Sequence, residues 1–244
     1  MFRTIALFAA RLVAAVILVT SWQLPAAADI SDSDRAAFNK MIEDYIRANP
    51  EVVREALISL AEREDRAQRE QAMMILREDA GDPVLGNPDG SFTVYEFSDY
   101  NCGYCKRVFQ PLMELIGEDG DIRLVVKEFP ILSQSSMLAA QAGVAAQAQG
   151  VFPKFHIAMM TARGAISMES ILEAAETAGA DLDRLQADMN SPEVMAVIER
   201  TRLAAQQLEI SGTPGLVIGS QVIPGAISIE QMREVIAAER AANS

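Results

Sequence analysis

Apolar residues between positions 31 and 77 recur at helical spacing. Phe38, Met41, Ile42, Tyr45 and Ile46 fall at i, i+3, i+4, i+7 and i+8, which makes one stripe along one helix. Asn49-Pro50 interrupts it, because the residue before a proline is pushed out of the helical region. Pro50 suits the first turn of a second helix, whose Val53, Leu57 and Leu60 share a face. In residues 62–71 (EREDRAQREQ), Ala67 is the one apolar residue. Side-chain charge pairs can keep such a segment helical, but it has no face to bury. Residues 29–78 therefore read as a small helical module on a solvated arm. Such a module buries little alone, so it packs either on the main domain or on copies of itself.

The period then changes. Gly81, Pro83, Gly86, Pro88 and Gly90 mark residues 79–91 as a linker. The run FTVYEF from Phe92 reads as a buried strand, and IRLVVKEF from Ile122 reads as a second. A helix through about Ile116 joins them, and a crossover this short predicts parallel, right-handed pairing. Residues 133–209 read as several helices: an Ala-rich one from Gln134, one from Ser167 to Gly179, and one started by Ser191-Pro192. Leu216-Val217-Ile218 and Gln221-Val222-Ile223 return to strand around Gly219-Ser220, and Ser228 with Gln231 makes a capping box for a last helix. The fold class is α/β. Residues 92–244 form one domain with a helical insertion at about 133–209, preceded by the helical module.

Composition adds a segment at the start. Residues 1–28 lack Asp and Glu, carry Arg3 and Arg11, run apolar from Leu12 to Val19 and end in Ala26-Ala27-Ala28. That is the layout of a secretory signal peptide cut after about Ala28, and its apolar run is short for a bilayer span. The expected destination is the periplasm. Without this leader, 19 Lys and Arg face 34 Asp and Glu, a formal charge of −15. So acidic a surface argues against nucleic acid or an anionic membrane as partner.

The chain has two cysteines, Cys102 and Cys105, with Gly103 and Tyr104 between them. A disulfide closing four residues stabilises by only about 2 kcal/mol, against about 3 for a fifteen-residue loop. A globule of 244 residues does not need that staple, so chemistry explains the pair better. The attacking species in disulfide exchange is a thiolate, and a helix N-terminus, with its unpaired N–H groups, favours an anion at Cys102. Cys105 sits one turn on, in reach to resolve a mixed disulfide, while Gly103 and Tyr104 tune the redox poise. Structural zinc would need four ligands, and beyond the pair only His156 offers a soft or borderline one. Two thiolates do suit Cu(I).

Two further features point the same way. Glu96 lies in an apolar strand six residues before Cys102. Buried beneath the pair, its carboxyl would be pushed up by desolvation and could take the Cys105 proton. Thr213-Pro214 precedes a strand, and a cis peptide there, packed on the cysteines, would let the Thr213 backbone pair with an extended substrate segment. His156, between Phe155 and Ile157, reads as a packed structural histidine.

These residues resemble a known family. Tyr95-Glu96-Phe97, the run SDYNCGYCK from Ser98, the run KEFPIL from Lys127, and Gly212-Thr213-Pro214 resemble the DsbA-like thioredoxin superfamily over about residues 80–240. With the helical module ahead, the chain is similar to the suppressor-of-copper-sensitivity protein C branch. The resemblance implies a thioredoxin fold with an inserted helical domain. It implies Cys102 as nucleophile, Cys105 as resolving cysteine, Pro214 as a cis-proline and Glu96 as the buried carboxylate. A redox-active Cys102–Cys105 disulfide would stand in place of any separate cofactor.

Strongly oxidising DsbA proteins tend to carry Pro-His between the cysteines and Val before the cis-proline. Gly103-Tyr104 and Thr213 resemble the isomerases of the DsbC type instead. That implies an isomerase or reductase of disulfide-containing exported proteins, kept reduced by a membrane thiol reductase. Some relatives are homotrimers held by the N-terminal module and others are monomers. Two alternatives stand beside this one: a DsbA-like dithiol oxidase, and a Cu(I)-binding or holdase module of copper tolerance using Cys102 and Cys105.

Overall fold

The computed structural model describes residues 31–242; the expected leader, residues 1–28, lies outside the described residues. The chain divides into two units, one ending at Glu62 and the other beginning at Arg63. The first holds helix α1 (Asp32–Ala48) and the opening of helix α2 (Pro50–Arg77). Ser31 caps α1 by accepting the Asp34 N–H at 3.2 Å, and Asn49 ends it. No residue of α1 is buried, so the stripe of Phe38, Met41, Ile42, Tyr45 and Ile46 stands in solvent.

The remainder of α2 belongs to the second unit and corrects the expected boundary at residue 78. Residues 62–71 are exposed, as their composition requires, but Ala72 and Leu76 are fully buried. One turn apart, they pack with Tyr95, Phe97, Val125 and Ala204 in the core. The linker expected at 79–91 is corrected as well, because it contains strand β1 (Val84–Gly86). Positive φ angles turn the chain at Gly81, ahead of this strand, and at Gly86, its last residue, and three residues are too few to display a period.

Among the described residues, β1, β2 (Phe92–Ser98), β3 (Ile122–Glu128), β4 (Gly215–Ile218) and β5 (Gln221–Pro224) form one sheet in the order β1-β3-β2-β4-β5. Helix α3 (Gly103–Glu118) joins β2 to β3, which pair in parallel from Phe92↔Ile122 to Ser98↔Glu128. Both β4 against β2 and β5 against β4 are antiparallel. Alternation along β2 sends Val94, Glu96 and Ser98 to one face and Tyr95 and Phe97 to the other.

The first face packs with Val108, Phe109, Leu112 and Leu115 of α3. Between β3 and β4 run α4 (Gln134–Ala148), α5 (Phe152–Thr161), α6 (Met168–Ala178), α7 (Leu182–Asp188) and α8 (Pro192–Gln207). Ser167 and Ser170 cap α6 reciprocally and Gly179 closes it in the left-handed conformation, so both ends fall where the cap residues predict. Helix α9 (Ile229–Ala242) begins at the Ser228–Gln231 box. The insertion positions the site by setting α4 and α5 against the core around the cysteines.

Candidate active site

The turn after β2 is built around one carboxylate. Asp99, 1% exposed, accepts the N–H groups of Asn101 at 2.8 Å, Ile131 at 3.0 Å and Leu132 at 3.1 Å. Its own carbonyl accepts the Cys102 N–H at 2.9 Å. Asn101 adds its side-chain amide to the hydroxyls of Ser133, Ser135 and Ser136. The turn and the start of the insertion are thereby tied together.

Cys102 is the N-cap of α3, and its sulfur accepts the Cys105 N–H at 3.3 Å. This side chain fills the capping role normally taken by Ser or Asp, so an orphan helix donor points at the sulfur. Both cysteines are free and buried, Cys105 completely. Gly103 borders open space, and Tyr104 is exposed with the Arg107 guanidinium 3.8 Å over its ring.

The antiparallel register of β4 on β2 ends with Phe97↔Gly215, which brings the preceding Thr213 and Pro214 to the tip where β2 releases Cys102. The Thr213–Pro214 peptide is cis. The Cys102 thiol donates to the Thr213 carbonyl at 3.2 Å. Glu96 is 1% exposed on the β2 face that carries α3. Burial pushes its carboxyl up to about 7, with Ser98 pulling weakly the other way. Burial, and then the charge of Glu96, drives the Cys105 thiol well above its ordinary value. The five expected site residues, Glu96, Cys102, Cys105, Thr213 and Pro214, thus converge on one end of the sheet. Among the described residues no group of three or more His, Cys, Asp or Glu is arranged to hold a metal ion; the site offers such an ion two thiols.

Residues 93–237 match the DSBA-like thioredoxin domain, and residues 34–67 match the copper resistance protein ScsC N-terminal domain. The chain belongs to the DSBA-like thioredoxin family. A thioredoxin-like oxidoreductase from Silicibacter pomeroyi DSS-3 is 40% identical with a TM-score of 0.66, over 68% of this chain and 96% of that one. The catalytic domain of Proteus mirabilis ScsC is 25% identical with a TM-score of 0.65, over 72% and 98% of the two chains. The Na(+)/H(+) antiporter NhaA of Herminiimonas arsenicoxydans is 28% identical over 160 residues, 65% of this chain. The chain spans about a quarter of that antiporter's length (26%).

The DSBA-like site includes residues that sequence reasoning did not single out. Tyr100, two positions before Cys102, lies with its hydroxyl 2.8 Å from Glu128 Oε1 and 3.0 Å from His156 Nδ1. All three are buried, and the His156 ring packs against Phe109 and Phe152. Burial holds His156 down at about 3, so it is neutral, in keeping with a packed histidine, yet it is bonded into the site. The signal was available: Glu128 is an acidic residue inside the strand IRLVVKE, on the same footing as Glu96. Asp99 was legible as a turn former beside the cysteines.

Proposed function

We propose that this chain exchanges disulfides in exported proteins as an isomerase or reductase, with Cys102 as nucleophile and Cys105 as resolving cysteine. The observation that carries this reading is the Cys102 sulfur at the start of α3, within 3.3 Å of the Cys105 N–H and 3.2 Å of the Thr213 carbonyl. The Cys102 thiolate attacks a client disulfide, forms a mixed disulfide and releases one client sulfur as thiolate. In isomerase mode that thiolate attacks another client disulfide, and a client thiolate finally displaces Cys102. In reductase mode Cys105 yields its proton to the Glu96 carboxylate and attacks the Cys102 sulfur. The second client thiolate leaves, two electrons have passed to the client, and Cys102–Cys105 is a disulfide. A membrane thiol reductase returns the two electrons.

Neutral residues between the cysteines support the less oxidising direction, since neither Gly103 nor Tyr104 itself carries a positive charge; the Arg107 guanidinium stacks on the Tyr104 ring. The solvent-facing stripe of α1, with Leu57, Ile58 and Leu60 of α2, supports self-association through the N-terminal module into a homotrimer. The acidic surface and the expected leader support a periplasmic location. The test is refolding of a scrambled multi-disulfide protein by the reduced enzyme. Recovery of native activity is expected; none, together with a glutathione-derived potential near the DsbA end of the range, would make the chain a dithiol oxidase. Sedimentation with and without residues 31–62 tests the assembly. A larger species that becomes a monomer on removal is expected, and the cut spares Ala72 and Leu76 of the core.

A further inference from the structure

Two carboxyl groups, not one, lie on the sheet face beneath the cysteines. Glu96 pairs with Val126 and Ser98 with Glu128, so Glu96 and Glu128 project from adjacent strands on the same face, two register positions apart. Each is 1% exposed. Lys127 points to the opposite face, where Asp82 takes its ammonium at 2.6 Å. Burial pushes Glu128 well above the carboxylate range; Tyr100 opposes this, and the charges of Asp99, Glu96 and Asp82 add to it.

Tyr100 has one hydroxyl hydrogen and two neighbours able to take it, Glu128 Oε1 and His156 Nδ1. With Glu128 ionised, Tyr100 donates to the carboxylate, His156 Nδ1–H donates to the phenol oxygen, and Nε2 is bare. One proton taken up from the solvent at Nε2 sends the Nδ1 hydrogen to the phenol oxygen and the phenol hydrogen to Glu128. The carboxyl then donates to the phenol, and the phenol donates to Nδ1. The two arrangements differ by one proton and keep both contacts. His156 Nε2 has no hydrogen-bond partner in the structure, so neither tautomer is pinned from its far side. Gly143 completes the fit in mid-helix, because a Cβ there would lie 2.5 Å from Glu128 Oε1 and 3.1 Å from the Tyr100 hydroxyl.

We propose that Tyr100, Glu128 and His156 hold a second proton beneath the cysteine pair and act as positioning residues for Glu96. Glu96 then exchanges the Cys105 proton in the field of a Glu128 whose charge is set by the Tyr100–His156 relay. This rests on the exchange reading above. Glu96 and Asp99 from β2 and its turn, with Asp82 from across the sheet, act on Glu128 by charge; Tyr100 is bonded to it, His156 of α5 is bonded to Tyr100, and Cys105 of α3 faces Glu96. Helix α4 contributes Gly143 and no charge to this contact.

The test uses the full chain carrying a mixed disulfide between Cys102 and glutathione. Its resolution by Cys105 is followed from about pH 5 to about pH 9, beside reduced-minus-oxidised infrared spectra of protonated carboxyls. Glu128→Gln keeps an acceptor for Tyr100 and removes the charge that Glu128 carries whenever the relay gives up its proton. It is expected to move the acid limb down by about one pH unit and to remove one carboxyl band. Tyr100→Phe takes the donor from Glu128, leaves it protonated, and moves the limb the same way; it decides the matter alone if Glu128→Gln does not fold. Profiles and spectra superimposable on wild type in the folded variants, with the limb lost in Glu96→Gln, would assign the proton to Glu96 alone and overturn the proposal. A wild-type chain that never forms the glutathione adduct fails the exchange reading itself, and the relay falls with it.

Discussion

The Cys102 thiol lies 3.2 Å from the carbonyl oxygen of Thr213, a residue 111 positions later. The contact joins the N-cap of α3 to the start of β4, the two elements on which the proposed exchange depends. Because the contact uses the backbone, the Thr213 side chain is free to vary without breaking it.

Thr213→Val removes a buried hydroxyl whose Oγ1 has no partner in the structure. The variant is expected to be unchanged or up to about 1 kcal/mol more stable in urea unfolding. Its exchange with glutathione should stay within about threefold of wild type. A loss of more than tenfold would show that the hydroxyl, and not the carbonyl, serves the thiol.

Glu96 makes stability fall as pH rises. Its carboxyl sits at about 7 in the fold against 4.5 when exposed, so the folded chain holds the proton more tightly. That stabilisation is complete below about pH 4.5 and is lost as pH rises through about 7. The gap corresponds to about 3 kcal/mol. Glu96→Gln should therefore stabilise the reduced protein by up to that amount at about pH 8 and change little at about pH 4, measured by urea unfolding. Equal effects at both values would place Glu96 in water.

Asp99→Ala leaves the N–H groups of Asn101, Ile131 and Leu132 without their acceptor. A loss of about 2 to 4 kcal/mol in unfolding free energy is expected, with Asp99→Asn recovering part of it. Hydrogen exchange at the amides of residues 131 and 132 should speed up in the alanine variant before the rest of the fold does.

Gly143→Ala sets two effects against each other. Helix propensity favours alanine by about 1 kcal/mol. A Cβ 2.5 Å from Glu128 Oε1 must displace a buried carboxyl, at about 1 to 3 kcal/mol for the overpacking plus the hydrogen bond to Tyr100. The clash is expected to win, with a net destabilisation of about 1 to 2 kcal/mol in urea unfolding. A more stable variant would mean the carboxyl has room to move.

Much of this was legible in the chain. Phe92–Ser98 and Ile122–Glu128 advertise themselves by β-branched and aromatic runs, and Ser167, Gly179, Ser191 and Ser228 mark helix ends by cap chemistry that acts within one turn. Cys102, Cys105 and Glu96 were legible because each is an exception in its surroundings. Illegible were the features that depend on distant partners. Strand β1 is three residues long and exists by pairing with β3, and Leu76 is core because the sheet face beneath it is apolar. The Tyr100–Glu128–His156 contact joins positions 28 and 56 residues apart, which no local period reports.

The most direct measurement is capture by Cys105→Ser, read by mass spectrometry of adducts formed with a reduced-and-scrambled multi-disulfide protein. With the resolving thiol gone, Cys102 should hold a client as a stable mixed disulfide, released by dithiothreitol and absent in Cys102→Ser. A folded Cys105→Ser chain that accumulates no such adduct while the client's disulfides stay accessible would contradict the assignment of Cys102 as the nucleophile.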